Sequence, residues 1–230
     1  MRKLIYVPIL HSSADLGSIA GDVAKKGTKL LGLDGWERHL NTINLFWDSI
    51  ESYFCELNVG GFKIFQDSLV AGGETGEKIV NAASAKGSRN YALIKKLVSK
   101  GAKAMHTEDL SLVKREVFYI SKLAKSKSLI EKLVAYLHYK ASKKGLLKER
   151  DRFIAKTINS SLKEGETGVL FLGAFHNVLP MLAQDIKVEE LKEREKVAAY
   201  QKIFYLKSKE GERKRLEKYL TTPVEGWVKQ

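Results

Sequence analysis

Two apolar runs without polar alternation constrain this chain more than any other feature. One is Gly168-Val169-Leu170-Phe171-Leu172-Gly173, which leads through a Gly-x-x-His turn to His176; the other is Leu4-Ile5-Tyr6-Val7-Pro8-Ile9-Leu10, which ends at His11. Continuous hydrophobics of strand length, bounded by turn residues, read as strands covered on both faces, the pattern of a parallel sheet between helices. In an open α/β sheet, ligands gather beyond the carboxyl ends of such strands. His11 and His176 therefore stand where a site is expected. Either histidine alone reads equally well as packed at a strand end and hydrogen-bonded to a neighbour. Two in the same setting, 165 residues apart in sequence, can converge across one sheet.

The segments between these runs fill in the frame. After His11, the side chains of Ser12, Ser13 and Asp15 offer N-cap oxygens for a helix reaching Lys26, and Asp15 lies close enough to point back toward His11. Leu40, Ile43, Phe46, Trp47 and Ile50 recur at helical spacing, which predicts an amphipathic helix over 36–51 with its aromatics in the core. The stretch 53–57 reads as the next strand, with Glu56 inside it. A carboxylate among apolar neighbours is costly unless paired or hydrogen-bonded, so Glu56 is either a site residue or half of a structural ion pair. A short strand over 62–65 ends in Gln66 and Asp67, and the Gly-rich loop behind it lacks the Gly-Lys-Ser/Thr of a phosphate loop.

One or two helices follow over 77–100, with a break at Gly87-Ser88 and Ser88 or Asn90 as the cap. A short strand from Gly101 then ends at His106-Thr107-Glu108-Asp109. These are residue types suited to a metal or acid/base cluster, although Thr107 and Asp109 equally suit capping of a helix from Leu110. The region 110–139 is strongly helical, with His138 read as a surface residue near its end. In the helix over 148–162, Arg150 sits between Glu149 and Asp151 near the start, by default a solvated charge run. A last strand over 186–191, a helix over 193–206 and a charged tail over 207–230 that packs on the body complete the chain. With no repeat, low-complexity tract or linker, residues 1–230 read as a single α/β domain, a mainly parallel sheet with helices on both faces.

Composition narrows the function classes. The chain has 230 residues, 44% of them hydrophobic, enough for one well-filled core. Its single cysteine, Cys55, excludes an internal disulfide and a cysteine-based metal cluster, and fits a reducing compartment. The first apolar run is too short for a signal segment and none approaches membrane-span length, so a cytoplasmic protein is expected. The net charge of +13 admits nucleic acid, an anionic membrane surface or acidic ligands. However, the lysines are spread along helical faces between glutamates, and no RNA-binding signature appears. Nucleic acid is therefore kept as an alternative partner.

The pattern Glu149-Arg150-Asp151, an amphipathic helix and an apolar strand into Gly173-x-x-His176 resembles the C-terminal signature of the TraB/TIKI proteins, which group with ChaN-like and erythromycin-esterase-like proteins. The resemblance implies a second strand-end histidine near the amino terminus, matched by His11 although Pro8 replaces the family glycine. It also implies an acidic residue on the following strand, Glu56, and an arginine, Arg150. Segments around 62–67, 87–90 and 101–109 are similar to an uncharacterised prokaryotic branch. Members of this superfamily include metal-dependent proteases, ester hydrolases and a haem binder, so the resemblance implies a site without fixing its reaction.

The expected site thus comprises His11, Glu56, Arg150 and His176 as catalytic groups, with Asp15, Gln66, Asp67 and Glu108 binding substrate. The leading expectation is a hydrolase of ester or peptide bonds in a small molecule or peptide. In it His11 and His176 hold a divalent metal or act as bases, and Arg150 holds an anionic group. The alternatives are a non-catalytic small-ligand or haem-binding protein and a basic nucleic-acid-binding protein.

Overall fold

Both apolar runs are strands, and they lie side by side. In the computed structural model, β1 (Arg2–Ile9) pairs in parallel with β4 (Thr167–Gly173), from Lys3 opposite Thr167 to Ile9 opposite Gly173. On the free side of β1 lies β5 (Ile186–Glu190); β2 (Lys63–Gln66) flanks β4, and β3 (Lys103–Ala104) pairs with β2. The described residues thus form a five-stranded, all-parallel sheet in the order β3-β2-β4-β1-β5. The structure describes residues 1–125, 129–203, 206 and 209–224, and within helices the side chains other than those of 16, 18–19, 123–125 and 129–141. The side chain of His138 and the last six residues lie outside that set.

Seven α-helices are assigned among the described residues: α1 (Ala20–Cys55), α2 (Gly73–Ala85), α3 (Arg89–Ser99), α4 (Leu110–Lys125), α5 (Leu129–Ser161), α6 (Arg194–Ile203) and α7 (Glu210–Thr221). Successive strand residues point to opposite faces, so each run feeds two cores. Ile5, Val7, Ile9, Ile64, Val169 and Phe171 meet Phe46, Trp47 and Ile50 of α1, Ile94 of α3, Tyr200 of α6 and Leu220 of α7. Leu4, Tyr6, Phe65, Leu170 and Leu172 face the other way, onto Ile154 and Ile158 of α5 and Leu162 just beyond it. Burying each such aliphatic or aromatic side chain stabilises the fold by roughly 1.5–3 kcal/mol, and this term dominates.

This layering places the site. Connections leaving β1 and β2 pass over the α1 face, whereas the one leaving β3 passes over the α5 face, as does the loop after β4 that carries Val178 and Leu179. Between β2 and β4, and again between β4 and β1, neighbouring chains diverge at the carboxyl ends and open a crevice.

The expected α/β architecture is therefore observed, with corrections in detail. The stretch 53–57 is not a strand. The helical stripe Ile43, Phe46, Trp47, Ile50 continues through Tyr53 and Phe54, so packing of α1 overrides the strand propensity of two aromatics. Glu56 lies exposed in the turn after α1. Because α1 returns from the carboxyl end of β1 to the amino end of β2, Glu56 sits at the end of the sheet away from the strand tips. The two helices expected over 12–26 and 36–51 are joined. A 3-10 segment, Ser13–Ile19, runs into α1, which bends at Gly32, where φ is +75°. Arg150 lies well inside α5 rather than near a helix start.

The break between α2 and α3 falls at Gly87-Ser88, where Ser88 Oγ accepts from Tyr91 N–H at 3.3 Å. In the tail, α7 is secured by the Lys192 ammonium, which donates to the Tyr219 carbonyl at 3.3 Å and to that of Thr222. Among the described residues no helix is long and apolar enough to cross a membrane.

Candidate active site

Asp67, immediately after β2, is the centre of the strand-tip crevice. Its Oδ2 accepts from Gly173 N–H at 3.2 Å, and its Oδ1 accepts from the Arg150 guanidinium at 2.8 Å and from Ser68 Oγ–H at 3.0 Å. Glycine at 173 is what allows this approach: a Cβ there would stand 3.2 Å from Asp67 Oδ2 and 3.5 Å from His176 Cδ2. His176 follows after a tight turn in which its N–H donates to the Gly173 carbonyl at 3.0 Å. Its Nδ1 lies 2.6 Å from Asp151 Oδ1, and its Nε2 lies 3.7 Å from Asp67 Oδ2. The second oxygen of Asp151 accepts from Asn177 N–H at 3.0 Å. The imidazole is thus locked between two carboxylates, with 5% of its surface exposed.

Arg150 ties the other side together. It donates to Glu108 through Nε at 2.5 Å and Nη2 at 2.6 Å, to Asp67 through Nη2, and to Glu116 through Nη1. Four of the five guanidinium N–H donors are therefore committed. Arg150 is 3% exposed, so it cannot grip a substrate anion as the sequence suggested. It positions carboxylates instead. Glu108 also accepts from Ser68 N–H at 2.8 Å, and Ser68 holds φ at +64°, a strained conformation for a residue with a side chain.

Charges tune one another in this cluster. Burial pushes the Asp67 carboxyl upward, but the charges of His176 and Arg150 lead the effects that outweigh it and hold the group well below the usual carboxylate range. Glu108 is displaced upward by burial and by the Asp67 charge, against the pull of Arg150. His176 is displaced upward: burial disfavours its cation, but the hydrogen bond to Asp151 and the charge of Asp67 favour it more strongly.

Above this buried layer lies a cleft of about 250 Å³, lined by His11, Asp15, Gln66, Asp67, Lys86 and Asn90 among others. His11 is exposed, and among the described residues its ring has no hydrogen-bond partner. The strand end beneath it is pinned by Trp47 Nε1–H, which donates to the Leu10 carbonyl at 2.9 Å. Asp15 accepts from Ser12 N–H at 2.7 Å and Ser12 Oγ–H at 2.8 Å, holding the first turn after His11. A directed chain braces the wall. Gln66 Nε2 donates to the Asp67 carbonyl at 3.1 Å, so Gln66 Oε1 is the atom that accepts from Asn90 Nδ2 at 3.0 Å. A carbonyl can only accept, which fixes both amides and leaves Asn90 Oδ1 as a buried acceptor without a partner among the described residues.

The crevice thus brings together His11, Asp15, Gln66, Asp67, Glu108, Arg150 and His176. Glu56 is not among them. His106 and Asp109 are turned to local structure: the His106 ring bonds the Glu108 carbonyl at 2.8 Å, and Asp109 Oδ1 caps α4 through Ser111 N–H at 2.8 Å and Leu112 N–H at 3.1 Å. Sequence reasoning passed over Asp151, Glu116, Ser68 and Lys86. Among the described residues no group of three or more His, Cys, Asp or Glu side chains is arranged to hold a metal ion. His176 Nδ1 is committed to Asp151, so of its ring nitrogens only Nε2 is left to meet a metal, and it lies 3.7 Å from Asp67 Oδ2. In comparisons with known proteins, no family model, no curated protein and no solved structure matches this chain, so the chemistry of the site is read from its own geometry.

Proposed function

We propose that the cleft is the active site of a hydrolase acting on an ester or amide bond in a small polar molecule. One observation carries this reading: a carboxylate held ionised, Asp67, lines the same cleft as His11, an exposed imidazole whose ring makes no hydrogen bond among the described residues. Asp67 binds its proton too weakly to be an efficient base. It serves as a fixed acceptor that orients the attacking water or a donor group of the substrate. His11 is the general base. It takes a proton from water as the oxygen adds to the carbonyl carbon, then returns that proton to the leaving group as the bond to carbon breaks. The Lys86 ammonium, on the same wall, balances the developing oxyanion.

The part of the substrate that the cleft holds is small, because about 250 Å³ lies below the roughly 300–1,000 Å³ of ordinary ligand pockets. It carries N–H or O–H groups, because the Asp15 and Asp67 carboxylates line the cleft. Within this proposal the resemblance to the TraB/TIKI, ChaN-like and erythromycin-esterase-like proteins takes an altered form: the acidic residue at the tip of the strand after β1 is Asp67 rather than Glu56.

A panel of small chromogenic esters, amides and phosphoesters tests the reading on the wild type and His11→Ala. Turnover of an ester or amide should fall at least about 100-fold in the variant, the scale of a lost acid/base group, with the melting temperature unchanged. Full turnover by His11→Ala would overturn the assignment. Binding of small polar ligands without turnover in any class would make the cleft a binding site instead.

A further inference from the structure

The outer face of α5 carries a second feature, separate from the cleft. A groove of about 630 Å³ runs beside the helix, lined by Lys148, Arg152, Ala155, Lys156, Asn159, Ser160 and Met181. Lys148, Arg152 and Lys156 recur every four residues, one per turn, so their stems are about 6 Å apart along one line.

The acids nearby in sequence are all drawn elsewhere. Glu149 pairs with Arg115, Asp151 with His176, Glu164 with the amino terminus, Glu166 with Lys63 and Asp185 with Arg2. Among the described residues, Lys148, Arg152 and Lys156 have no carboxylate partner. The far wall is fixed. Asn159 Nδ2 donates to the Met181 carbonyl at 3.0 Å, and its Oδ1 accepts from Ala183 N–H at 2.9 Å.

We infer that this groove binds the phosphodiester backbone of a nucleic-acid strand. A row of cations at regular spacing along one shallow, open helix face suits a chain of regularly spaced monoanions. A flat lipid surface would instead call for an exposed apolar flank, and among the described residues Met181 is the only large apolar side chain in the lining. Among the described residues no aromatic side chain lines the groove for stacking, so recognition is by charge and indifferent to base sequence. Overall charge adds long-range attraction without defining the site.

Fluorescence anisotropy with a labelled oligothymidylate of about 20 nucleotides, longer than a typical single-strand site, tests the inference. Three phosphate contacts predict a log–log salt slope near −2, a loss of roughly 20-fold in affinity between about 50 and 200 mM salt. In Arg152→Ala/Lys156→Ala the slope should shrink to about −0.7, with only a roughly threefold loss over the same range. Both residues are exposed, so folding should be unaffected. Lys214→Ala/Lys218→Ala on α7 removes the same charge elsewhere and should leave the slope near its wild-type value.

Absence of binding at about 50 mM salt overturns the inference. So does an equal slope change in the α7 control, because net charge rather than the groove would then be read. Sedimentation with phosphatidylserine vesicles, abolished by the α5 double variant while the oligonucleotide is not bound, would assign the groove to a lipid surface and also overturn it.

Discussion

Replacing Arg150 by methionine tests whether the buried charges act as one unit. Methionine keeps much of the stem volume but removes all four committed hydrogen bonds. Glu108, which is 1% exposed, loses both of its Arg150 bonds, and Asp67 and Glu116 each lose one. Removing one partner of a buried ion pair costs roughly 3–5 kcal/mol, mostly because a charge is stranded in a poor solvent. For a chain of this size each kcal/mol shifts the melting temperature by about 2–4 °C, so a drop of roughly 10–15 °C is expected.

The pH dependence makes the test specific. The folded value of Asp67 lies below its unfolded value, so its ion-pair stabilisation is present above about pH 4 and fades as pH falls through the folded value. Glu108 runs the other way: burial holds it above its ordinary value, so protonation on acidification relieves strain in the variant. The deficit of Arg150→Met should therefore be largest near neutral pH and narrow toward about pH 4. Thermal unfolding across that range is the assay. A shift under about 2 °C, or a deficit independent of pH, would refute the linked-charge account.

Two further substitutions probe the β4 turn. His176→Ala strands the buried Asp151 carboxylate and should cost roughly 1.5–3 kcal/mol. The folded value of His176 is raised, so its contribution is complete below about pH 6.5, the unfolded value, and lost as pH climbs through the higher folded value; unfolding curves for the variant and wild type should differ more at about pH 6 than at about pH 9. Gly173→Ala places a Cβ 3.2 Å from Asp67 Oδ2 and should cost roughly 1–3 kcal/mol by urea unfolding. Unchanged stability there would mean that the carboxylate has room to move.

The sheet was legible because β1 and β4 are unbroken apolar runs, and such runs occupy the middle of a parallel sheet, where they are found. The tips of β2 and β3 were legible through Gln66-Asp67 and Glu108, although those strands are only four and two residues long. Residues 53–57 misled because two aromatics in a short window favour a strand, whereas the helical stripe from Ile43 to Phe54 gives the longer and decisive pattern. The triplet Glu149-Arg150-Asp151 misled in another way. Only Glu149 is solvated; Arg150 stands four residues before Ile154, eight before Ile158 and twelve before Leu162, at the head of the buried stripe of α5. That spacing was a readable sign that a charge enters the core. Glu116 had the same sign, three and four residues after Val113 and Leu112 on the inward side of α4. What no pattern discloses is which of these charges meet, because the contacts join β2, β3, α4, α5 and the β4 turn across long stretches of sequence.

Such a cluster is hard to justify by stability alone. Replacing buried ion pairs by apolar residues of similar volume is often neutral or stabilising by about 1–4 kcal/mol, so a network kept purely for stability has cheaper substitutes. Glu108→Leu/Arg150→Met puts this to the test, because it removes the pair without stranding Glu108. Unfolding measurements should show at least half of the Arg150→Met loss recovered. Turnover should not return with it, because Asp67 would still lack the guanidinium that helps to hold its carboxylate ionised and fixed in the cleft. Recovery of stability and turnover together would show that Arg150 and Glu108 only fill space beneath the cleft. Asp67 would then have to owe its placement to Gly173, Ser68 and His176.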